Sequence, residues 1–312
     1  MEKVIFDTNG YRDLVAHKTD KQIEKILQRL KDRENYHNIE SLISPIVTKE
    51  LLAHLADKSD PSFDKCLKAN RALYFHSGSA KSYRMLASPE LLISKAFWNK
   101  EIPANIETNK ALGQISYHLA NNPSEYVFKK FQKNLNLNRM HVLDAENTFA
   151  LAMLQFVRTA DPNSTSWRPF ANDEKSRQKL LASIRSEATS LDIAAGYLVT
   201  VFQLLYASGQ VSEMTYDELF DKAVEFGKVF PEPIALYKVV MENLVNSEFN
   251  ILEDSRSNFV WDTHLMFNIG KHSIAGSKLH FVTSDKAMIR TALGTDAKYS
   301  IWTFDEYMDY LK

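Results

Sequence analysis

Apolar and polar positions follow two regimes along the chain. Short runs rich in β-branched and aromatic residues, Lys3 to Phe6, Leu42 to Val47, Leu279 to Thr283 and Ser300 to Thr303, predict four strands, all close to the chain's ends. Between the first two, Ile23, Ile26, Leu27 and Leu30 recur at helical spacing behind Thr19-x-x-Gln22, a capping-box pattern. The tail repeats this logic. Thr303-x-x-Glu306 caps a final helix, and Gly294 ends one that begins near Asp285. Strand, helix, strand, helix is the order of a parallel sheet with crossover helices, so the expected class is α/β with a Rossmann-like sheet.

From residue 57 to residue 250 the pattern is helical throughout. Eight of the nine prolines, Pro61 to Pro233, fall in this stretch, which suits many helices joined by corners rather than a sheet. The expected organisation is therefore an α/β domain formed by residues 1–56 and 251–312, with residues 57–250 inserted as an all-α segment. Its first and last helices could equally belong to the α/β core.

Composition narrows the picture without changing it. A chain of 312 residues, 45% hydrophobic and 25% charged, reads as ordinary and globular. The lone Cys66 excludes an intrachain disulfide and a cysteine-based zinc site. Glu2 and the short apolar run after it do not suit a signal peptide, and Leu191 to Ala207 is interrupted by Asp192, Thr200 and Gln203. That stretch is expected to be a buried helix, and the expected setting is cytoplasmic with no membrane contact. A net charge of −1 confines any nucleic-acid contact to local patches.

Four acids carry the candidate chemistry. Asp7 follows the first strand, and Asn9 and Gly10 after it are expected to turn the chain. Asp285 follows the third strand. In an open parallel sheet the carboxyl ends of the strands line the ligand crevice. Glu50 is expected in the first turn of a helix capped by Thr48, beside the same crevice. Asp262 lies on a helix expected over residues 257–270, at about 300° from Phe259 when successive residues turn by about 100°. That angle puts it between Ile269 and Met266 on the apolar stripe. A buried carboxylate calls for a metal or cation partner, or for a salt bridge or backbone amides. Asp7, Glu50 and Asp285 also read plainly as helix-terminal acids. Carboxylates converging on one sheet edge repel one another unless a cation joins them, and oxygen-only ligands favour Mg²⁺ or Mn²⁺ over zinc.

With these motifs the chain resembles the PIN domain nucleases. Val4-Ile5-Phe6-Asp7-Thr8-Asn9 is similar to their opening strand and Asp-Thr-Asn motif. Ile43-Ser44-Pro45 through Glu50-Leu51 resembles the segment bearing their glutamate. Asp262 resembles their third acid, Val282-Thr283-Ser284-Asp285 their closing strand and fourth acid, and Ile301-Trp302-Thr303 with its helix the family's ending. The resemblance covers residues 1–56 and about 251–312; the long helical insert departs from it. It implies an endonuclease acting on RNA, holding one or two Mg²⁺ or Mn²⁺ ions through Asp7, Glu50, Asp262 and Asp285, and leaving 5′-phosphate and 3′-hydroxyl ends. Thr283 or Ser284 would add a hydroxyl, Asn9 would orient Asp7, and Arg12, Lys49 and Lys286 are candidates for phosphate contact. A structure-specific DNA nuclease and a catalytically idle PIN-like scaffold are the alternatives. The insert is a candidate surface for a homo-oligomer or a protein partner.

Two further patterns carry less. Arg71 and His76 have the Arg-x4-His spacing of the helical HEPN ribonucleases but stand about 140° apart on a helix. Asp144 and Glu146 read as acids in the first turn of a helix.

Overall fold

A computed structural model of the chain describes residues 2–78, 85–247, 251, 259–269 and 279–312. The protein is a mixed α/β molecule with a four-stranded, all-parallel sheet. Strands β1 (Glu2–Phe6), β2 (Ile39–Ser41), β3 (Leu279–Val282) and β4 (Ile301–Trp302) take the order β2-β1-β3-β4, so both ends of the chain build one sheet. Val4 sits opposite Ser41 on one side and His280 on the other, and Val282 pairs with Trp302. Val4, Ile5, Phe6, Phe281 and Val282 are buried, as expected for strands covered on both faces.

Between β1 and β2 run α1 (Thr8–Val15) and α2 (Asp20–Tyr36). The capping box of Thr19 and Gln22 opens α2 as expected. After β3 come α13 (Lys286–Leu293), ended by Gly294, and α14 (Phe304–Tyr310), opened by the Thr303–Glu306 box. Two local readings change. Asn9 and Gly10 do not turn the chain but lie in the first turn of α1, because the Asp7 side chain caps that helix. The run Leu42 to Val47 is not the second strand. Ser44 caps and Pro45 opens α3 (Pro45–Ala53), so Ile46 and Val47 are buried on a helix, and the strand lies earlier, at Ile39–Ser41.

The remaining helices are α4 (Phe63–Ser77), α5 (Pro89–Trp98), α6 (Pro103–Asn121), α7 (Glu125–Ala160), α8 (Glu174–Arg185), α9 (Glu187–Ala207), α10 (Tyr216–Val229), α11 (Pro231–Asn246) and α12 (Phe259–Met266). The chain divides into two compact units, with the division passing through α5 and α7. One comprises residues 1–92, 101–142 and 268–312; the other comprises residues 93–100 and 143–267. Against the expected 1–56 and 251–312, the sheet-bearing unit thus gains residues 57–92 and 101–142, and its C-terminal part begins only at residue 268. In it α4 packs against α1, α2, α3 and α6, and Asn70 Nδ2 and Ser116 Oγ bond α4 to α6. The second unit is helical among its described residues and is centred on Phe226, Phe230 and Phe267, whose rings meet at 5.2–6.0 Å.

Among the described residues α9 is the one helix long and apolar enough to cross a membrane. It is not the buried helix that composition suggested. Ala194, Leu198, Val201 and Leu205 are its buried positions, while Asp192, Thr200, Gln203 and Leu204 are exposed.

Phe281, fully buried in β3 between β1 and β4, sets the first prediction. Phe281→Ala is expected to destabilise the sheet-bearing unit by roughly 3–5 kcal/mol, read from urea unfolding followed by far-UV circular dichroism.

Candidate functional site

From β1 the chain crosses to β2 on one side, while β3 and β4 lie on the other. The order therefore reverses between β1 and β3, and in open parallel sheets ligands bind outside the carboxyl ends of the strands at such a point. Asp7 directly follows β1 and Asp285 lies three residues beyond the end of β3, and each is the N-cap of the following helix.

Asp7 is only 3% exposed. Its Oδ1 accepts the Gly10 amide, its Oδ2 accepts the Thr283 hydroxyl at 2.5 Å, and its own amide donates to the Val282 carbonyl at 3.0 Å. Gly10 matters for clearance: a Cβ there would stand 2.9 Å from Asp7 Oδ1, which a backbone-capped carboxylate cannot yield. Thr283 also joins the two acids, since its Oγ1 accepts the Asp285 amide at 2.9 Å. Asp285 in turn accepts the Met288 amide at 2.7 Å. Burial lifts the Asp7 carboxyl from 3.8 to about 7, against the Thr283 and Gly10 hydrogen bonds; the Asp285 and Asp13 charges push the same way as burial.

Two supporting contacts complete this end of the sheet. Ser284 Oγ donates to Asp13 Oδ2 at 3.2 Å, and Thr8 Oγ1 donates to Glu50 Oε2 at 2.5 Å. Glu50 is 9% exposed and stands in the second turn of α3, since Ser44 rather than Thr48 caps that helix; Thr48 instead donates its hydroxyl to the Ser44 carbonyl. Asn9 is exposed and donates no hydrogen bond to Asp7, because its place in the first turn of α1 directs it outward; Gly10 and Thr283 hold that carboxylate instead.

Asp262 belongs to the other compact unit, on α12. It is half-buried rather than enclosed in an apolar stripe: Val260, Trp261, Thr263, Leu265 and Met266 are buried around most of the helix, leaving no single buried face. Residues 257, 258 and 270 of the expected helix lie outside the described residues. Nearby, Trp261 Nε1 donates to Glu146 Oε1 at 2.9 Å. Among the basic candidates, Lys286 is exposed and Lys49 half-buried. Arg12 points a guanidinium nitrogen at Cys66 Sγ, 3.4 Å away, and its buried Nε has no hydrogen-bond partner.

All the candidate donors are oxygens, which suits Mg²⁺ or Mn²⁺ and not zinc. Asp7 feels the charges of Asp285 and Asp13, yet among the described residues no three acid, His or Cys side chains close into a ready-made metal cage. A buried carboxyl flanked by two others is a place where a divalent cation would be stabilised. Asp13 went unnoticed in the sequence, where Thr8 figured only within the opening motif and Gly10 only as a turn residue. The signal available was the i, i+3 step from Asp7 to Gly10 and the acid one turn further on. Comparison with models of known families, with curated proteins and with solved structures gives no match.

The raised Asp7 carboxyl predicts a pH signature. Between pH 3.8 and about 7 the folded chain keeps a proton that the unfolded chain has lost, so stability falls as pH rises through that window and levels off above it. Asp7→Asn keeps the cap and removes the titration. It is expected to exceed wild type in stability at pH 8 by on the order of 4 kcal/mol, with the gap closing near pH 4, as read from denaturation curves at the two pH values. An equal gap at both would contradict a desolvated Asp7.

Proposed function

We propose that this protein is a PIN-like, divalent-metal-dependent endonuclease that hydrolyses phosphodiester bonds, RNA first, leaving 5′-phosphate and 3′-hydroxyl ends. The observation that carries the reading is the buried Asp7 at the switch between β1 and β3, joined to Asp285 through the Thr283 hydroxyl. The order of the motifs along the chain and the all-oxygen donor set add to it.

In this reading Asp7 and Asp285 would hold Mg²⁺ or Mn²⁺, one ion or two, with Glu50 as a further acid; for Asp262 the family resemblance alone speaks. Such an ion, when bound, supplies an acidified water as nucleophile and a positive charge facing the leaving oxygen. Thr283 fixes the Asp7 carboxylate, and Thr8 fixes Glu50. Arg12, with an unsatisfied Nε, is suited to contact a backbone phosphate, with Lys49 and Lys286 as further basic contacts. Carboxylate chemistry acts on either sugar, so a DNA substrate is the alternative within the same mechanism.

The test is a panel of end-labelled single-stranded and duplex RNA and DNA with 1 mM Mn²⁺. Wild type is expected to cut single-stranded or structured RNA, with EDTA abolishing cleavage and Asp7→Asn or Asp285→Ala lowering it at least about a hundredfold (~3 kcal/mol). Undiminished cleavage by both variants sinks the assignment. Should no nucleic acid be cut and Mn²⁺ leave the melting temperature unchanged, a catalytically idle binding module replaces it.

A further inference from the structure

Beneath the β1–α1 junction lies a buried polar assembly in which neither the acids nor the basic candidates take part. His76, near the end of α4, has a fully enclosed side chain, and its Nε2 faces both carboxylate oxygens of Glu34 on α2, at 2.9 and 3.0 Å. A carboxylate only accepts, so this nitrogen carries the hydrogen. Its Nδ1 stands 2.9 Å from the hydroxyl of Tyr11 on α1, placed to accept from it with the second hydrogen absent from the ring. Tyr11 in turn takes a hydrogen bond from Ser77 at 3.1 Å, and Tyr307 of α14 donates to Glu34 at 3.0 Å. Every polar atom of the chain Tyr11, His76 and Glu34 is thereby partnered with its role assigned. Of the Arg71 and His76 pattern, Arg71 is paired with Asp20 at 2.8 Å and His76 is sealed from solvent.

The placement of the imidazole is the informative part. Its ring packs edge-on against Phe6 with centroids 4.9 Å apart, and Phe6 immediately precedes Asp7. Its Nδ1 holds Tyr11, whose amide donates to the Asp7 carbonyl one turn into α1. One side chain therefore grips the residue before Asp7 and the residue that closes the first turn after it. Apolar packing alone would bury the same area without specifying a single orientation; a fully satisfied hydrogen-bonded network does specify one. We infer that His76, locked by Glu34 and Tyr307, is the positioning residue of Asp7, acting through Phe6 and Tyr11 to aim the β1–α1 junction. The inference rests on the nuclease reading for its catalytic consequence and not for its structural one.

Tyr11→Phe keeps the ring and removes only the grip. Its expected effect is a kcat about ten- to a hundredfold below wild type on the best RNA substrate, with KM unchanged within twofold, because a small misplacement of a reacting group acts on the chemical step. Hydrogen exchange followed by mass spectrometry supplies a readout independent of activity. Exchange of the α1 peptide 7–15 is expected to rise at least about tenfold, while the α13 peptide 286–293 in the same unit keeps its wild-type rate. Glu34→Gln, which retains an acceptor for the imidazole N–H, is expected to stay within about threefold of wild type in both readouts. Unchanged exchange over 7–15 in Tyr11→Phe, or parallel loosening of both peptides, overturns the positioning role. If wild type cuts no nucleic acid, the nuclease reading fails and the exchange comparison alone decides the inference.

Discussion

A parallel strand buried on both faces must satisfy its backbone donors and acceptors along both edges, because water cannot reach them. β1 meets this demand on one side with β2, only a helical crossover away, and on the other with β3, from the far end of the chain. The rest of the arrangement follows from that second pairing. It draws residues 279–282 beside residues 3–6 and sets the reversal of strand order between β1 and β3. It also leaves the long run of helices between α3 and β3 to be accommodated without breaking the sheet.

The same pairing creates the electrostatic feature on which the functional reading turns. Because β1 and β3 end side by side, the acid that caps α1 and the acid that caps α13 are held by one threonine hydroxyl. Helix capping and site formation are here the same set of hydrogen bonds. Asp7 is desolvated by the sheet it terminates, and its carboxyl is raised despite two donors that oppose the rise. A carboxylate serving only as a cap would be better placed at the surface, where its charge costs little. Phe6, whose ring packs on Tyr11, His76 and Tyr307, anchors the residue before Asp7, while Gly10 and Thr283 fix the orientation of its carboxylate.

The helical part is not uniform in its attachment. α4 and α6 belong with the sheet, where Cys66, Ala69, Ala72 and Leu73 bury one face of α4, while α8 to α12 form their own aromatic core. Composition could not divide them, since both sets share the same 3.6-residue periodicity, and α5 and α7 run through the division without a break. Asp262 falls in the second unit, and its candidacy rests on the order of motifs along the chain.

Local signals proved legible wherever the interaction they report is local. The Thr19–Gln22 and Thr303–Glu306 boxes, the stop at Gly294 and the strands around Phe6, Val282 and Trp302 rest on neighbours within a few residues, so the order of elements and the positions of Asp7 and Asp285 at strand ends could be read directly. The run Ile43 to Val47 misled because an apolar stretch of that length suits a buried helix as well as a strand; Ser44 and Pro45 held the deciding signal. What no local pattern encodes is which distant groups meet. Thr283 and Asp7 are 276 residues apart, Glu50 and Thr8 are 42, and His76 reaches both Tyr11 and Glu34 from another helix. By itself the sequence determined the elements and put acids at the ends of strands, because dihedral preference and capping act within one turn. Only the tertiary structure decided which of those acids are linked and by what, because burial and long-range hydrogen bonding depend on the packed chain.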